Sequence, residues 1–218
     1  MSKGYLIVPL SNKTKIPAVE DFKHYTSERA TNLINLNFFT DKDIAIVLDR
    51  NHCCIDIDDD GLTSSQTIYE KLCQKIKGFS KYPTEKTKHG YHIYFSCNDD
   101  KLKRNIKFLN SEFLCIIFNK EKFETMNDED KKKVKYMNGK YTLPVDFLIG
   151  YHNGTNAYAR TAPSTNIKTI NELPFITELP QFPENLKNQL ELVTDKVLNI
   201  IKNVKKGNYI PPQYTDEN

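Results

Sequence analysis

Asp56 and Asp58 close an apolar run and are interleaved with Ile55 and Ile57. Side chains alternate along an extended strand, so the two carboxylates share one face. The two isoleucines share the other and can enter a core. Carboxylates held side by side repel each other unless something positive lies between them. A hard divalent cation such as Mg2+ or Mn2+ meets that need, because it takes oxygen ligands from a few carboxylates and keeps positions for phosphate and water. The stretch can also be read as a strand followed by an acidic turn, Asp59-Asp60-Gly61. A second group is Thr87-Lys88-His89-Gly90-Tyr91-His92. Thr87, Lys88 and His92 are donors suited to phosphate oxygens, and Gly90 permits a tight turn; the alternative is an ordinary hairpin with an exposed histidine. A third is Asp146, set between Val145 and Phe147. A charge in an apolar strand either faces solvent at an edge or finds partners, here the other two aspartates at a metal. Three aspartates and a phosphate-binding hairpin together make a two-metal nucleotidyl-transfer site, able to activate a 3′-hydroxyl and stabilise a leaving pyrophosphate.

The elements that position these groups follow from the pattern of apolar residues. Strands are expected at 5–10, 43–49, 53–58, 82–86, 91–97, 113–118, 141–149 and 156–162, with 43–58 forming an antiparallel hairpin through Arg50-Asn51-His52. One or two short helices fit 19–36. Ile68, Leu72 and Ile76 form a helical stripe after a cap at Thr63 or Ser64, with Gly78 as the stop. Segment 119–140 is highly charged and reads as an exposed insertion. Segment 167–183 carries three prolines and reads as an extended connector. Leu186, Leu190, Val193, Val197, Ile201 and Val204 predict one amphipathic helix over 184–206, and 207–218 reads as a loose tail. The class is α+β with a mostly antiparallel sheet.

At 218 residues the chain can bury a sizeable core, and 39% hydrophobic residues suit a folded protein. No apolar run is long enough for a membrane span, and the first residues lack the pattern of a signal peptide, so a cytoplasmic, non-secreted protein is expected. The net charge of +3 permits nucleic-acid binding without arguing for it. Five cysteines, an odd number without a CxxC pair, fit reduced thiols. His52-Cys53-Cys54 could form a zinc corner only if neighbouring strand residues faced the same way.

The order of these motifs resembles the archaeo-eukaryotic primase superfamily, and within it the bifunctional primase-polymerase (prim-pol) domains of plasmids, phages and large DNA viruses. That family shows a hydrophobic strand ending in DxD, a small-residue–x–His motif in a following hairpin, and a third acid on a later strand. Here these are Asp56-Ile57-Asp58, His92 and Asp146. Lys15-Ile16-Pro17, Asn153-Gly154 and Pro163-Ser164 are similar to further family features, so the resemblance spans 5–165. It departs at His89-Gly90, where the family carries two small residues. The resemblance implies an RRM-like catalytic half joined to a smaller N-terminal α/β half, with a catalytic domain over 1–165 and a C-terminal connector and helix over 166–206. It implies Mg2+ or Mn2+ on Asp56, Asp58 and Asp146. It implies NTP or dNTP held by His92, Lys88 and Thr87 with Gly90 and His89, and reached by Arg160 and Ser164. It also implies a single-stranded DNA template and a helicase domain or subunit of the same replication protein. Template contacts are expected to be electrostatic, at Lys101, Lys103 and Arg104 and at 131–133. Two other readings stand beside it: a replication-initiator nuclease, whose His-hydrophobe-His motif is not met by His89 and His92, and a primase-like binding module without turnover.

Overall fold

A computed structural model describes residues 3–11, 15–98, 107–137, 140–150 and 156–192. The strands are β1 (Ile7–Pro9), β2 (Ile44–Leu48), β3 (His52–Ile57), β4 (Thr84–Lys86), β5 (Tyr91–Ser96), β6 (Lys107–Asn110), β7 (Lys135–Met137), β8 (Lys140–Ile149), β9 (Ala157–Thr161), β10 (Lys168–Asn171) and β11 (Leu190–Leu192). The α-helices are α1 (Ser27–Asn35), α2 (Ser65–Lys75), α3 (Lys120–Thr125), α4 (Asp128–Lys131) and α5 (Glu184–Lys187). The strands form two antiparallel sheets. The smaller runs β1-β2-β9; the larger runs β10-β4-β5-β3-β8-β6-β11, with β7 also paired to β8. The class is therefore α+β with mostly antiparallel sheets. No helix among the described residues is long and apolar enough to cross a membrane.

The layers follow from strand alternation. Cys53, Ile55 and Ile57 of β3, with Ile93 and Phe95 of β5, pack on Ile68, Leu72 and Ile76 of the α2 segment. Each such fully buried side chain contributes about 1.5–3 kcal/mol relative to exposure. The opposite face of the large sheet presents Cys54 and Tyr94 to Ile46, Leu48 and Ala159 of the small one. Beyond the small sheet, Ala45 and Val47 pack on Ala30 of α1. Ser64 caps α2 by accepting a bond from the Thr67 N–H. Cys53 and Cys54 thus enter different cores, and His52 hydrogen-bonds Asp49, so the zinc corner does not form.

Four sequence expectations are corrected. Segment 43–58 is not a hairpin. β2 is buried on both faces and flanked on both edges by β1 and β9, while β3 pairs with β5 and β8. The chain changes sheets at Asp49, where the Gly150 N–H donates to the Asp49 carbonyl at the point where β8 leaves the large sheet. A Cβ on Gly150 would lie 2.5 Å from the Asp49 carbonyl carbon, so this crossing requires glycine. Segment 113–118 is not a strand. Asn110 caps a short 3-10 helix at Ser111–Leu114, Cys115 turns left-handed, and Ile117 is 89% exposed. The connector 167–183 supplies an edge strand, β10, on β4. Of the helix expected over 184–206, the described residues show Glu184–Lys187 alone. Leu186 and Leu190 reach the same core, but β11 leaves the helical path to pair with β6, and residues from 193 lie outside the described ones. Within the charged segment 119–140, α3 and α4 are each capped by an asparagine, β7 pairs with β8, and Lys140 begins β8.

Candidate active site

β3 lies between β5 and β8, and the register places Asp56 opposite His92 on one side and opposite Asp146 on the other. Directly opposed residues stand about 4.5–5.5 Å apart. All three lie on the face turned to the small sheet, as alternation requires. His92 is buried and bridges the sheets. Its Nε2 lies 3.3 Å from Asp56 Oδ1, and its Nδ1 lies 2.8 Å from the backbone oxygen of Arg160 in β9. A carbonyl only accepts, so Nδ1 carries the proton. Burial works to lower the His92 pKa, but Asp56 outweighs it, with Glu85 and the Arg160 carbonyl adding, and the ring is held above its ordinary value. Asp58 is raised, first by burial and then by repulsion from Asp56 and Asp146, against the pull of Lys15 and His92.

The hairpin between β4 and β5 is tied by Thr87. Its Oγ1 accepts bonds from the Gly90 N–H (2.9 Å) and the His89 N–H (3.3 Å), and its own N–H donates to the Gly90 carbonyl. Gly90 sits so close to the end of β3 that a Cβ would lie 1.6 Å from the Ile57 carbonyl oxygen. The tip of the hairpin therefore lies beside Asp58. Glu85 is also buried and joins the sheets. It accepts from Tyr94 OH and Thr161 Oγ1 and from the Ala162 N–H, which fixes β9 against the hairpin.

A cavity of about 710 Å3 opens along the seam between the sheets. Asp56, Asp58 and His92 form one wall, Thr87, Lys88 and His89 a second, and Tyr158 and Arg160 with Asp43, Thr165 and Lys15 a third. The size is that of small-molecule and cofactor sites generally. The Arg160 guanidinium is anchored by Asp43, and its buried Nε has no protein partner among the described residues. Burial would raise Asp43, but bonds from the Thr165 N–H and hydroxyl and the Arg160 charge outweigh it and hold the carboxyl below its ordinary value.

Of the residues expected at the site, Asp56, Asp58, His92, Lys88, Thr87, His89 and Arg160 line this cavity, and Gly90 supports its hairpin. Asp146 adjoins Asp56 but does not line the cavity; its Oδ1 is 2.8 Å from Lys135 Nζ. Ser164 is buried away from it, accepting from the Ile44 N–H and donating to the Ile44 carbonyl, which docks the turn after β9 onto β2. Asp59 and Asp60 have the turn role. They accept from the Ser65 N–H and from the Leu62 and Thr63 N–H groups, and Asp60 also accepts from Tyr141 OH. Lys101, Lys103 and Arg104 lie outside the described residues. In 131–133, Lys131 Nζ donates to the Glu124 carbonyl and Lys133 pairs with Asp130. Sequence reasoning did not place Asp43, Tyr158 or Thr165 at the site, and it saw Lys15 only within the Lys-x-Pro. Asp43 and Thr165 meet across 122 positions of chain, a distance over which no local pattern carries a signal.

The donor set, three carboxylates, suits a hard cation, and the register brings the three to neighbouring positions. They are not arranged as a ligand set: among the described residues no three His, Cys, Asp or Glu side chains are placed to hold a metal ion. No family model matches the chain, and no curated protein matches it.

Proposed function

We propose that the chain is a metal-dependent nucleotidyltransferase that makes or extends primers on a single-stranded DNA template. One observation carries the reading: a single cavity sets Asp56 and Asp58 against Lys15, Lys88 and Arg160. A nucleoside triphosphate has this polarity, with an anionic tail for the cations and a reacting phosphorus that needs charge neutralised. Lys88 and His89 at the hairpin tip and Arg160 on β9 bind the phosphates. His92 orients Asp56, and Asp43 holds the Arg160 guanidinium in place. Asp56, Asp58 and Asp146 are the oxygen donors that would hold Mg2+ or Mn2+, although the structure does not draw them together as a ligand set. The ions, when bound, supply activation of the 3′-hydroxyl and neutralisation of the leaving pyrophosphate. In this reading the large sheet is the RRM-like catalytic half of a prim-pol domain, and a helicase domain or subunit is the expected neighbour in replication.

The test is a primer-synthesis and primer-extension assay on single-stranded template with labelled NTPs or dNTPs, with Mg2+ and then Mn2+. Products are expected from the wild type. Several kcal/mol of charge stabilisation ride on each ligand, so Asp58→Ala should lower their yield by about a hundredfold or more. Nicked template without extension would replace this reading with the initiator nuclease. Neither product nor nicking would leave the binding module.

A further inference from the structure

The turn between α1 and β2 leaves the helix at Leu36 and reaches the cavity wall at Asp41 and Asp43. Asn37 and Asp41 take left-handed backbone. The N–H groups of Phe38, Thr40 and Lys42 donate to the carbonyls of Leu33, Asn37 and Phe39, so the path of the turn is set by its own bonds. Its far end is fastened by Asp43 to Arg160 and Thr165. Leu36 is 75% exposed, Phe38 and Phe39 are half-buried, and none of the three packs on a core cluster among the described residues. Lys42 Nζ lies 4.7 Å from the centroid of the Phe38 ring. An aromatic ring beside a cation is the chemistry that holds single-stranded nucleic acid: every base has a π-face to stack, and the cation takes a backbone phosphate. We propose that the turn 36–43 is a stacking platform for one unpaired base of a strand that passes the cavity, with Phe38 as the ring and Lys42 as the phosphate contact. The inference rests on the template-directed reading above and requires no metal ion. Position favours a nucleic-acid strand over a protein partner. Asp41 lies on the cavity wall and Lys42 follows it directly, so a base held on Phe38 neighbours the space in which that reading places the incoming nucleotide. A turn already held by its own bonds also loses little freedom on binding.

The experiment is a fluorescence-anisotropy titration of the full chain against a labelled oligothymidylate, without nucleotide or divalent cation, at several salt concentrations. Phe38→Leu keeps an apolar side chain but removes the ring, and should weaken the Kd about tenfold, the scale of one base stacked on one aromatic side chain. Phe38→Tyr, which keeps a ring, should retain the wild-type Kd. Lys42→Gln should reduce the slope of log Kd against log salt by about 0.7, the share of one phosphate contact on a single strand. A wild-type Kd in Phe38→Leu, or a wild-type slope in Lys42→Gln, overturns the inference and leaves the template reading standing. No binding by the wild type overturns both. A wild-type dimer in sedimentation that Phe38→Leu dissociates, with DNA binding unchanged, overturns the inference and gives the patch to a second copy of the chain. A measurement on the wild type alone guards against a variant that folds poorly. An oligonucleotide carrying iodouracil, irradiated with the wild type, should cross-link to Phe38, as read by mass spectrometry; cross-links that map only to other residues overturn the inference.

Discussion

Gly90 shows how one residue couples the hairpin to the acids. The atoms that a Cβ would meet are backbone, the Ile57 oxygen at 1.6 Å and its carbon at 2.7 Å, and backbone cannot yield as a flexible side chain can. Gly90→Ala must lift the hairpin tip off β3. The expected loss is about 1–3 kcal/mol, as for other overpacked sites, or roughly 2–12 °C in the melting midpoint of a domain this size. In the nucleotidyltransferase reading, triphosphate binding should fall with it, because Lys88 and His89 move away from Asp58. A midpoint and affinity equal to wild type in a thermal melt with and without nucleotide would show that the close approach is not held. The sequence showed the turn at Gly90 but not the contact with Ile57, thirty-three positions earlier in the chain. The same division runs through the site. Period-two alternation correctly set Asp56 and Asp58 on one face and Ile55 and Ile57 on the other. It could not foresee that Ser164 would turn to Ile44 or that Asp146 would meet Lys135, since both contacts depend on how elements dock.

At the scale of elements, strands and helices with a clear local period were legible, and partners were not. α2, β4, β5, β8 and β9 lie where their patterns predict. The failures share a cause. A short link such as Arg50-Asn51-His52 suggests a hairpin, but which strands take the edges of β2 is decided by β1 and β9, far along the chain. Apolar spacing over 184–206 also fits a helix, yet the open edge of β6 takes 190–192 as a strand. Asp43 is an element-scale fastening: it stands one residue before β2 and holds both Arg160 of β9 and Thr165 of the turn that follows. Its folded pKa lies below that of the unfolded chain, near 3.9. Its contribution to stability is therefore complete above the unfolded value and lost as pH falls through the lower, folded one. Asp43→Asn should lower the urea midpoint at pH 7, and the gap from wild type should close on acidification below about pH 4. A gap that stays constant down to pH 3 would remove the Arg160 pair as a source of stability.

For the whole molecule, the decisive feature is that the cavity lies between the sheets rather than within one of them. Asp56, Asp58 and His92 come from the large sheet, and Tyr158 and Arg160 from the small one. The seam is closed by His92 bonding Arg160, by Glu85 bonding Thr161 and Ala162, and by apolar packing of Cys54 and Tyr94 on Ile46 and Leu48. Two chain crossings, at Asp49 and Gly150, run side by side through it. Sheets so tied should unfold together, and a ligand that spans the seam should stabilise both. In the nucleotidyltransferase reading, a nucleoside triphosphate with Mn2+ at a hundredfold its Kd contributes about 2.7 kcal/mol by mass action. For a domain of this size that is a rise of roughly 5–11 °C in a single transition. Scanning calorimetry with and without the nucleotide and Mn2+ checks it. Two separate transitions, with only one moved by ligand, would mean that the sheets melt independently and that the ligand is gripped by one of them. Asp58→Ala should abolish most of the Mn2+-dependent part of the rise while leaving the single transition intact, because the seam contacts do not include the Asp58 carboxylate.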